Sequence, residues 1–496
     1  MQGARCDIAV VGAGAAGLFA GLWAARTLAG EGGTLGPGRV VLLDGARTLG
    51  AKILVAGGGR CNVTHHEVDE RAYAGSSPHA VRRVLAAFPV SRTVDFFREL
   101  GVELKREPTG KLFPVTDAAR TVLDALLRAC RDAGAEIRHP WRVGRIDWVE
   151  PATGNMSDEP ASGDTNNMSG GALGGPGHFR IHRAGDGPPE WLDASRVILA
   201  TGGMALPRSG SDGAGYQFAR ALGHTTTRRI FPALVPLTTP DGHWTRSLSG
   251  ITTPATIELR SPTGKRLRSF TNSTLLTHVG LSGPSVLDMS RYYTDAQPTH
   301  AQPAPAHAHA APAHAAHPSP AADSQAASLV INWLPGVTPE ALDQDLARAK
   351  GPGIARYLAE RVAHTLTVPE HEPRGMPLRL AQALCEQAGV DPQTPVHTLT
   401  REHRRGIVRW STQCPIPVTG DRGFTHAEVT AGGVPLAELD LATMQSRVRP
   451  GLHLCGEILD VDGRIGGFNF QWAWASGYAA GVGAGAEVRG STETGR

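Results

Sequence analysis

The stretch VVGAGAAGLFAG, residues 10–21, decides the fold of this chain. A short apolar run before it predicts a buried strand, and residues 18–28 after it have the composition of a helix. A strand, the spacing G-x-G-x-x-G and a helix, in that order, are typical of a dinucleotide-binding turn. In such a turn Gly12 makes the tight bend and Gly14 lets the backbone approach a pyrophosphate, while Gly17 lets the helix pack closely on the strand.

The same region predicts how the dinucleotide is held. Backbone N–H groups at the start of the helix face the pyrophosphate, and the helix dipole favours negative charge there. The next predicted strand, residues 40–43, ends in Asp44, which is placed to accept hydrogen bonds from a ribose hydroxyl. A glycine-rich helix start without a ligand is one alternative, and a secretory signal is disfavoured by Asp7 and the glycines. The predicted contacts are Gly12, Ala13, Gly14, Ala15, Ala16, Gly17 and Asp44.

Length and composition limit the class of protein. The 496 residues allow two or three domains, and 49 basic against 46 acidic side chains give a net charge of +3, too balanced to indicate nucleic-acid binding. The six cysteines form no C-x-x-C pair, which argues against a zinc site or a disulfide framework and favours a reducing compartment. We therefore expect a cytoplasmic monomer or homodimer without a metal or a membrane partner.

A second glycine-rich turn lies in GAKILVAGGGRCNVT, residues 50–64. Three consecutive glycines and the residues after them predict a loop whose backbone can lie against a flat ligand. Lys52 and Arg60 are cations that could meet phosphate or a negative charge developing on a bound ring. A flexible surface loop with an incidental cysteine is the alternative. The predicted contacts here are Lys52, Gly57, Gly58, Gly59, Arg60, Cys61 and Asn62.

Two more apolar strands end in glycine-containing turns. One comprises residues 196–200 and the other residues 452–455. Such turns let a backbone approach a cofactor closely, although a plain strand end would explain the first equally well. The predicted contacts are Thr201, Gly202, Gly203, Gly456, Glu457 and Asp460.

A glycine pair near the C-terminus opens a helix predicted over residues 468–480. The N-terminus of this helix would direct positive partial charge at a ligand bound there, and would favour one that carries or gains negative charge. Trp472 and Trp474 are interpreted as core residues of the same helix. The predicted contacts are Gly466, Gly467, Phe468 and Asn469.

Six segments together resemble one known family. They are residues 50–64 (GAKILVAGGGRCNVT), 197–203 (VILATGG), 207–224 (PRSGSDGAGYQFARALGH), 276–290 (LTHVGLSGPSVLDMS), 429–434 (VTAGGV) and 456–481 (GEILDVDGRIGGFNFQWAWASGYAAG). In this order they resemble the BaiN/RdsA-type NAD(P)/FAD-dependent oxidoreductases, from about residue 6 to about residue 482. Residues 101–115 (GVELKREPTGKLFPV) predict a hairpin that turns at Pro108-Thr109-Gly110. In this hairpin Lys111 stands where the family typically has arginine, which replaces a bidentate fork with a point charge.

The resemblance implies an α/β fold, with a Rossmann-like FAD-binding domain of the three-layer GR2 type, an inserted β-rich domain and a small helical subdomain. The FAD-binding domain is expected over residues 1–206 and 411–496, interrupted by a Gly/Ser/Asn/Pro-rich insertion at 150–178. The β-rich domain is expected over 207–335 and the helical subdomain over 336–410. Residues 294–328 are almost entirely Ala, Pro, His and Gln, and their histidines are interpreted as part of a linker rather than a metal site.

The resemblance also implies FAD as the cofactor and NAD(P)H as a transient electron donor, because a second G-x-G-x-x-G is absent. Family members include a dihydrouridine synthase acting on large-subunit ribosomal RNA and a reductase of unsaturated bile-acid intermediates. Both reduce a conjugated C=C bond, which needs a hydride at one carbon and a proton at the other. The candidate proton donors are Cys61, which we prefer for its place in the glycine loop, His278 and Glu457.

The leading functional hypothesis is uridine reduction in ribosomal RNA. Basic residues of the β-rich region, Arg228, Arg229, Lys265, Arg266 and Arg268, could face phosphates, whereas the basic run REHRRGIVR at 401–409 is interpreted as a solvated face. The alternatives are a small-molecule enone reductase or amine oxidase, and a flavin-binding redox sensor without turnover. A Ser-His hydrolase around His278 and Ser282 is disfavoured because no G-x-S-x-G elbow is present.

Overall fold

The computed structural model describes residues 4–30, 33, 35–36, 38–151, 177–185, 189–297, 327–351, 353–360 and 375–494. The chain forms two compact units, one from Met1–Ile230 with Thr430–Arg496 and the other from Phe231–Val429. Most of the predicted insertion at 150–178 lies outside the described residues, as does most of the Ala/Pro/His segment at 294–328 with its histidines.

The first unit is a mainly parallel sheet with helices packed against it. Its strands are β1 (Ala4–Val11), β2 (Val40–Leu43), β3 (Thr64–His65), β4 (Tyr73–Gly75), β5 (Leu104–Arg106), β6 (Lys111–Pro114), β7 (Glu136–Arg138), β8 (Val143–Val149), β9 (His178–Arg183), β10 (Trp191–Leu199), β20 (Leu439–Asp440), β21 (Gln445–Ser446), β22 (Leu452–Leu454) and β23 (Val461–Gly463). Its helices are α1 (Ala15–Ala29), α2 (Ala51–Gly59), α3 (Pro78–Ala87), α4 (Val90–Glu99), α5 (Ala119–Asp132), α6 (Ala214–Ala221) and α12 (Phe468–Thr494).

The strands of the main sheet run in the order β20-β21-β22-β10-β1-β2-β7. Strands β22, β10, β1, β2 and β7 run parallel to one another, whereas β21 is antiparallel to β22 and β9 is antiparallel to the first half of β10. The register aligns Val11 with Leu199 and Leu199 with Leu454, so β1, β10 and β22 end at the same edge. In open α/β sheets, ligands bind at this carboxyl edge.

Small residues let α1 and α12 pack closely on each other. A methyl carbon added to Gly477 would lie 2.7 Å from the Ala16 carbonyl oxygen, and one added to Gly481 would lie 2.3 Å from that of Ala20. The contacts advance in the same direction along both helices, so the helices run parallel. At 1.5 Å per residue, the start of α12 extends about 12 Å beyond the start of α1.

Several local predictions are confirmed. Strand β2 has the predicted bounds, Trp472 and Trp474 are buried, and β5 and β6 form the hairpin expected to turn at Gly110, whose N–H donates to the Glu107 carbonyl. The helix before the glycine loop was not predicted: α2 begins at Ala51, and its dihedral angles leave the helical range only from Ala56. Helix α12 continues well past residue 480.

The second unit is built on a seven-stranded antiparallel sheet in the order β17-β16-β13-β14-β15-β12-β18. Its helices share one hydrophobic core with the sheet, in which Leu342 and Leu380 accompany Ile257. Its strands are β11 (Phe231–Ala233), β12 (Leu237–Thr238), β13 (Thr252–Arg260), β14 (Arg266–Thr277), β15 (Gly280–Ser282), β16 (Ser328–Asn332), β17 (Cys414–Ile416), β18 (Gly420–Asp421) and, at its boundary, β19 (Val429–Ala431). Its helices are α7 (Pro284–Ala296), α8 (Pro339–Arg348), α9 (Ile354–Glu360), α10 (Leu378–Gln387) and α11 (Arg401–Thr412).

No helix among the described residues combines the length and the apolar character needed to cross a membrane. All six cysteines are buried and free of disulfide bonds.

A hydrogen bond between Glu438 and the buried His224 joins the two chain segments of the first unit and should make its stability depend on pH. Glu438 Oε2 lies 2.6 Å from Nδ1 of His224, and the Thr225 N–H donates to the same carboxylate. Burial by itself raises the pKa of Glu438, but the hydrogen bonds from Thr225 and His224 bring it below the ordinary value of 4.5. The stabilisation by Glu438 is therefore present above pH 4.5 and is lost as the pH falls through the lowered pKa.

We expect urea unfolding of the native protein to require less denaturant at about pH 4 than at about pH 7, because carboxylates titrate in the lower part of this range. The substitution Glu438→Gln should reduce this difference. The glutamine cannot lose a proton, so its contribution does not change with pH. An equal pH dependence in both proteins would contradict a role for this carboxylate.

Candidate functional site

Three glycine turns meet at the carboxyl edge of the parallel sheet. A methyl carbon added to Gly12 would lie 2.5 Å from the carbonyl oxygen of Ala200, so the turn after β1 touches the turn after β10. One added to Gly456 would lie 2.7 Å from Ala16 Cβ, so the turn after β22 touches the start of α1. The structure thus gathers residues 12–17, 201–203 and 456–457, which are far apart in sequence.

The turn after β1 has the geometry needed to receive phosphate. A methyl carbon added to Gly14 would have no atom within 4 Å other than those of its chain neighbours. Gly14 is also the N-cap of α1, and no side chain caps the helix there. The first N–H groups of α1 are therefore available to an anion that approaches the backbone at this open position.

Asp44 orders this turn as well as facing it. Its Oδ2 accepts from the Ala13 N–H at 2.7 Å, and its Oδ1 accepts from the Ala46 N–H at 2.8 Å. Each carboxylate oxygen has a second acceptor position, so a ribose hydroxyl can still bind. The prediction treated Asp44 only as a ligand contact, whereas the structure shows that it also holds the glycine turn in place.

Glu457 links the turn after β22 to the turn after β10. One of its oxygens pairs with the Lys52 ammonium group, and the other accepts from the Thr430 N–H at 2.9 Å. The Thr430 hydroxyl accepts in turn from the N–H groups of Met204 and Ala205, just after Gly203. The Glu457 side chain is 18% exposed, so it lies at the surface of the site rather than in the core.

The glycine loop after α2 turns its cysteine inward. Gly57, Gly58 and Gly59 all have positive φ angles and are exposed, as expected for a backbone that faces a ligand. Cys61 has no exposed surface, and burial raises the pKa of its thiol to about 12. The preference for Cys61 as the proton donor is therefore not supported, because a donor must reach the substrate. Asn62 is buried, and its Oδ1 has no hydrogen-bond partner among the described residues.

Arg60 points to the β5–β6 hairpin. Its Nη1 donates to Glu107 at 2.6 Å and lies 3.7 Å from Asp117, and its guanidinium group lies 4.0 Å from the centre of the Phe113 ring. Lys52 is paired with Glu457. Both cations predicted to meet a bound anion are therefore already paired with carboxylates.

The start of α12 lies against β3, directly after the glycine loop. A methyl carbon added to Gly467 would lie 2.5 Å from the Thr64 carbonyl carbon, and Phe468 stacks on His65 with ring centres 5.0 Å apart. The Asn469 amide exchanges hydrogen bonds with the backbone of Gly463, which holds the loop before the helix closed. The sequence prediction did not include His65, whose pKa is lowered by burial.

Two of the predicted site residues, Asp460 and His278, lie outside the three glycine turns. Asp460 lies beside β4, where its carbonyl oxygen accepts from the Ser76 N–H at 2.8 Å. His278 is exposed in the turn between β14 and β15 of the second unit. It therefore belongs to a different unit from Cys61 and Glu457.

Tyr216, on α6, is a site residue that the sequence prediction missed. It is 3% exposed, and its hydroxyl has no hydrogen-bond partner within the described parts of the chain. Burial, with the negative charges of Glu457 and Asp460, raises its pKa well above the usual value, so the hydroxyl remains a donor at neutral pH. Its position in the segment GAGYQFARALGH was the available signal, because that segment was already part of the family resemblance.

We expect Tyr216→Phe to weaken FAD binding about tenfold, which corresponds to about 1.4 kcal/mol for one hydrogen bond. The protein without flavin should be as stable as the native protein or more so, because the variant removes a buried hydroxyl that lacks a partner. Fluorescence titration with FAD and urea unfolding measure the two effects. Tyr293→Phe is the matched control, because that hydroxyl donates to the Val418 carbonyl at 3.2 Å and its loss should lower stability only. Unchanged FAD affinity in Tyr216→Phe would contradict the assignment.

The gathered residues fit FAD. Open backbone at Gly14 suits a pyrophosphate, and the free acceptor positions of Asp44 suit a ribose. Unpartnered polar atoms of Asn62 and Tyr216 remain for the polar groups of a ligand, and each would otherwise be costly to bury.

Comparison with known proteins agrees with this fit. The profile of the family described as "HI0933-like protein Rossmann domain" matches residues 6–161 and 178–483. The chain is 29% identical to the ribosomal RNA dihydrouridine synthase of Escherichia coli K12 over 480 residues, which cover 96% of this chain and 97% of that protein. It is also 29% identical to the 3-dehydro-bile acid delta(4,6)-reductase of Clostridium scindens, over 96% of this chain and 98% of that protein.

A third relative is the ribosomal RNA dihydrouridine synthase of Haemophilus influenzae, which is 28% identical over 95% of this chain and 96% of that protein. These matches span both units, and the family match runs from the dinucleotide-binding turn to α12. The chain therefore belongs to the HI0933-like Rossmann-domain family of FAD-dependent oxidoreductases.

Proposed function

We propose that this protein reduces a conjugated C=C bond with FAD as its bound cofactor and NAD(P)H as its transient electron donor. The leading candidate substrate is uridine in large-subunit ribosomal RNA, which would become dihydrouridine. The observation that carries the proposal is the meeting of three glycine turns at one sheet edge, with open backbone at Gly14. Two full-length relatives named ribosomal RNA dihydrouridine synthases support the choice of substrate.

Each part of the site has a separate task in this proposal. When bound, FAD supplies the hydride transfer between the nicotinamide and the substrate. The N–H groups at the start of α1 would hold the pyrophosphate, and Asp44 would hold the ribose while it orders the turn. The glycine loop at residues 57–62 would contact the ring, and the first turn of α12 would favour negative charge at its pyrimidine edge.

The reduction also needs a proton at the second carbon. Of the three predicted donors, Glu457 is favoured, because it lies in the turn after β22 and is partly exposed, whereas Cys61 is fully buried. Lys52 donates a hydrogen bond to Glu457, so its ammonium group can supply the proton that the Glu457 carboxylate passes to the substrate carbon, and solvent then reprotonates Lys52. In this arrangement Thr430 orients the carboxylate through its N–H.

The test has two parts, which measure electron transfer through the flavin and formation of the product. Under anaerobic conditions NADH or NADPH should bleach the oxidised flavin, and ribosomal RNA from a strain lacking the gene should restore its colour. Mass spectrometry of RNA from that strain should show the loss of one dihydrouridine. RNA already modified in the wild-type strain is the control and should restore little colour. An unchanged dihydrouridine profile in the deletion strain would remove this substrate.

The bile-acid reductase of C. scindens favours a second candidate, the reduction of a small-molecule enone. In that case low-molecular-weight enones should reoxidise the reduced flavin rapidly in the absence of RNA. The dihydrouridine content of the deletion strain should then equal that of the wild type.

A further inference from the structure

Helix α11, Arg401–Thr412, carries an arginine stripe formed by Arg401, Arg405 and Arg409. At 3.6 residues per turn, these positions lie on one side of the helix, about 6 Å apart along its axis. All three side chains are exposed, and none forms an ion pair with another described residue. The stripe is therefore a row of three positive charges that have no carboxylate partner within the part of the chain that the structure describes.

The other faces of α11 have ordinary structural roles. Ile407 and Val408 are buried in the core of the second unit. Arg404 lies 3.4 Å from Asp343 of α8 and is compensated by it. Glu402 is exposed and lies three residues before Arg405, on a neighbouring part of the helix surface, but it forms no ion pair with any of the described residues. Arg404, which faces the protein, forms an ion pair with Asp343, whereas the outward-facing arginines of the stripe form none with any described residue.

At its N-terminal end the stripe is unfavourable for its own helix, whereas Arg409 lies in the last turn, where the dipole favours a cation. Like charges four residues apart repel each other, and Arg401 places a cation in the first turn, where the dipole favours anions. The N-cap Thr400, whose hydroxyl accepts from the His403 N–H at 3.1 Å, helps to keep the helix formed. Residues that destabilise their own helix are expected at functional positions.

We propose that the arginine stripe binds the phosphate backbone of an RNA strand. Arginine presents a planar fork of donors that matches phosphate, and three forks in a straight row suit an extended polyanion. A membrane surface would require exposed apolar residues beside the charges, whereas Ile407 and Val408 are buried. The inference rests on the proposed function in that both invoke RNA, but it assigns a separate surface.

The test measures the affinity for a fluorescein-labelled, uridine-rich single-stranded RNA by fluorescence anisotropy, in about 50 to 200 mM salt. Each lost phosphate contact lowers the slope of log affinity against log salt by about 0.7, so Arg401→Gln, Arg405→Gln and Arg409→Gln together should lower it by about two. Affinity at the lowest salt should fall at least tenfold. Glutamine is a good helix former, so α11 should remain intact.

Two control variants isolate the stripe. Arg71→Gln, Arg98→Gln and Arg120→Gln together remove the same charge from exposed arginines of the first unit that are paired with acids, and should keep the native slope. The triple lysine variant of the stripe should keep most of the slope, because the charge remains. Flavin absorbance and reduction by NADPH should be native in every variant, which reports that the fold is intact.

A native slope and affinity in the triple glutamine variant would overturn the inference. So would a variant that loses binding to phosphatidylglycerol vesicles while it keeps binding to RNA. Failure of the proposed function would look different: the deletion strain would retain its dihydrouridine, while the native protein would still bind RNA through the stripe.

Discussion

The Gly14→Ala protein should fold as stably as the native protein but lose its FAD. The added methyl group would meet no protein atom within 4 Å beyond its chain neighbours, and φ of −78° is an ordinary value for alanine. Alanine is slightly worse than glycine as an N-cap, so unfolding should change by less than about 1 kcal/mol. The same methyl group would stand where the pyrophosphate approaches the backbone.

We therefore expect the FAD dissociation constant of Gly14→Ala to rise at least a hundredfold, which corresponds to about 2.7 kcal/mol. Fluorescence titration of the protein freed of flavin measures it, and the protein should elute from gel filtration at the native volume without yellow colour. If Gly14→Ala retains stoichiometric FAD at native affinity, the pyrophosphate does not bind at this turn.

The Gly17→Ala protein should have the opposite defect, because it should fail to fold stably. Its methyl carbon would lie 1.8 Å from the carbonyl oxygen of Gly12, which is a backbone atom that no side-chain rotation can move. Overpacking that forces the backbone to shift costs typically 1 to 3 kcal/mol and occasionally more, and we expect at least about 3 kcal/mol here. Because α1 packs on α12, the loss should extend through the whole first unit.

Urea unfolding monitored by tryptophan fluorescence measures this loss, since Trp472 and Trp474 are buried in α12. Gly490→Ala is the matched control: a methyl carbon there would have no atom within 4 Å, and alanine in a helix should raise stability by up to about 1 kcal/mol. Native stability of Gly17→Ala would mean that α1 does not pack on β1 as described.

Much of the first unit could be predicted because its signals are local. The strand before Gly12 and the strand ending at Leu43 were recognisable from short apolar runs, and the G-x-G-x-x-G spacing marked the turn between strand and helix. The hairpin at Gly110 followed from turn residues between two short strands. Helix α2 was missed because the three glycines at its end predict a loop, although its first half contains good helix formers.

The sequence could not predict which charged side chains pair with each other. Lys52 and Glu457 are separated by 405 positions in sequence, and no local pattern connects them. Arg60 could equally have faced a ligand, but its guanidinium group binds Glu107 of the hairpin. The inward position of Cys61 depends on its positive φ of 61° and on the packing around it. These choices depend on which elements the fold brings together.

The sequence by itself determined that this chain folds around a dinucleotide-binding turn, because backbone dihedral freedom and apolar periodicity are properties of neighbouring residues. Only the tertiary structure decided which turns meet at the sheet edge, which cations are already paired, and that Tyr216 presents an unpartnered hydroxyl there. Burial and electrostatic pairing are set by residues that are distant in the chain and close in space, so no single segment contains that information.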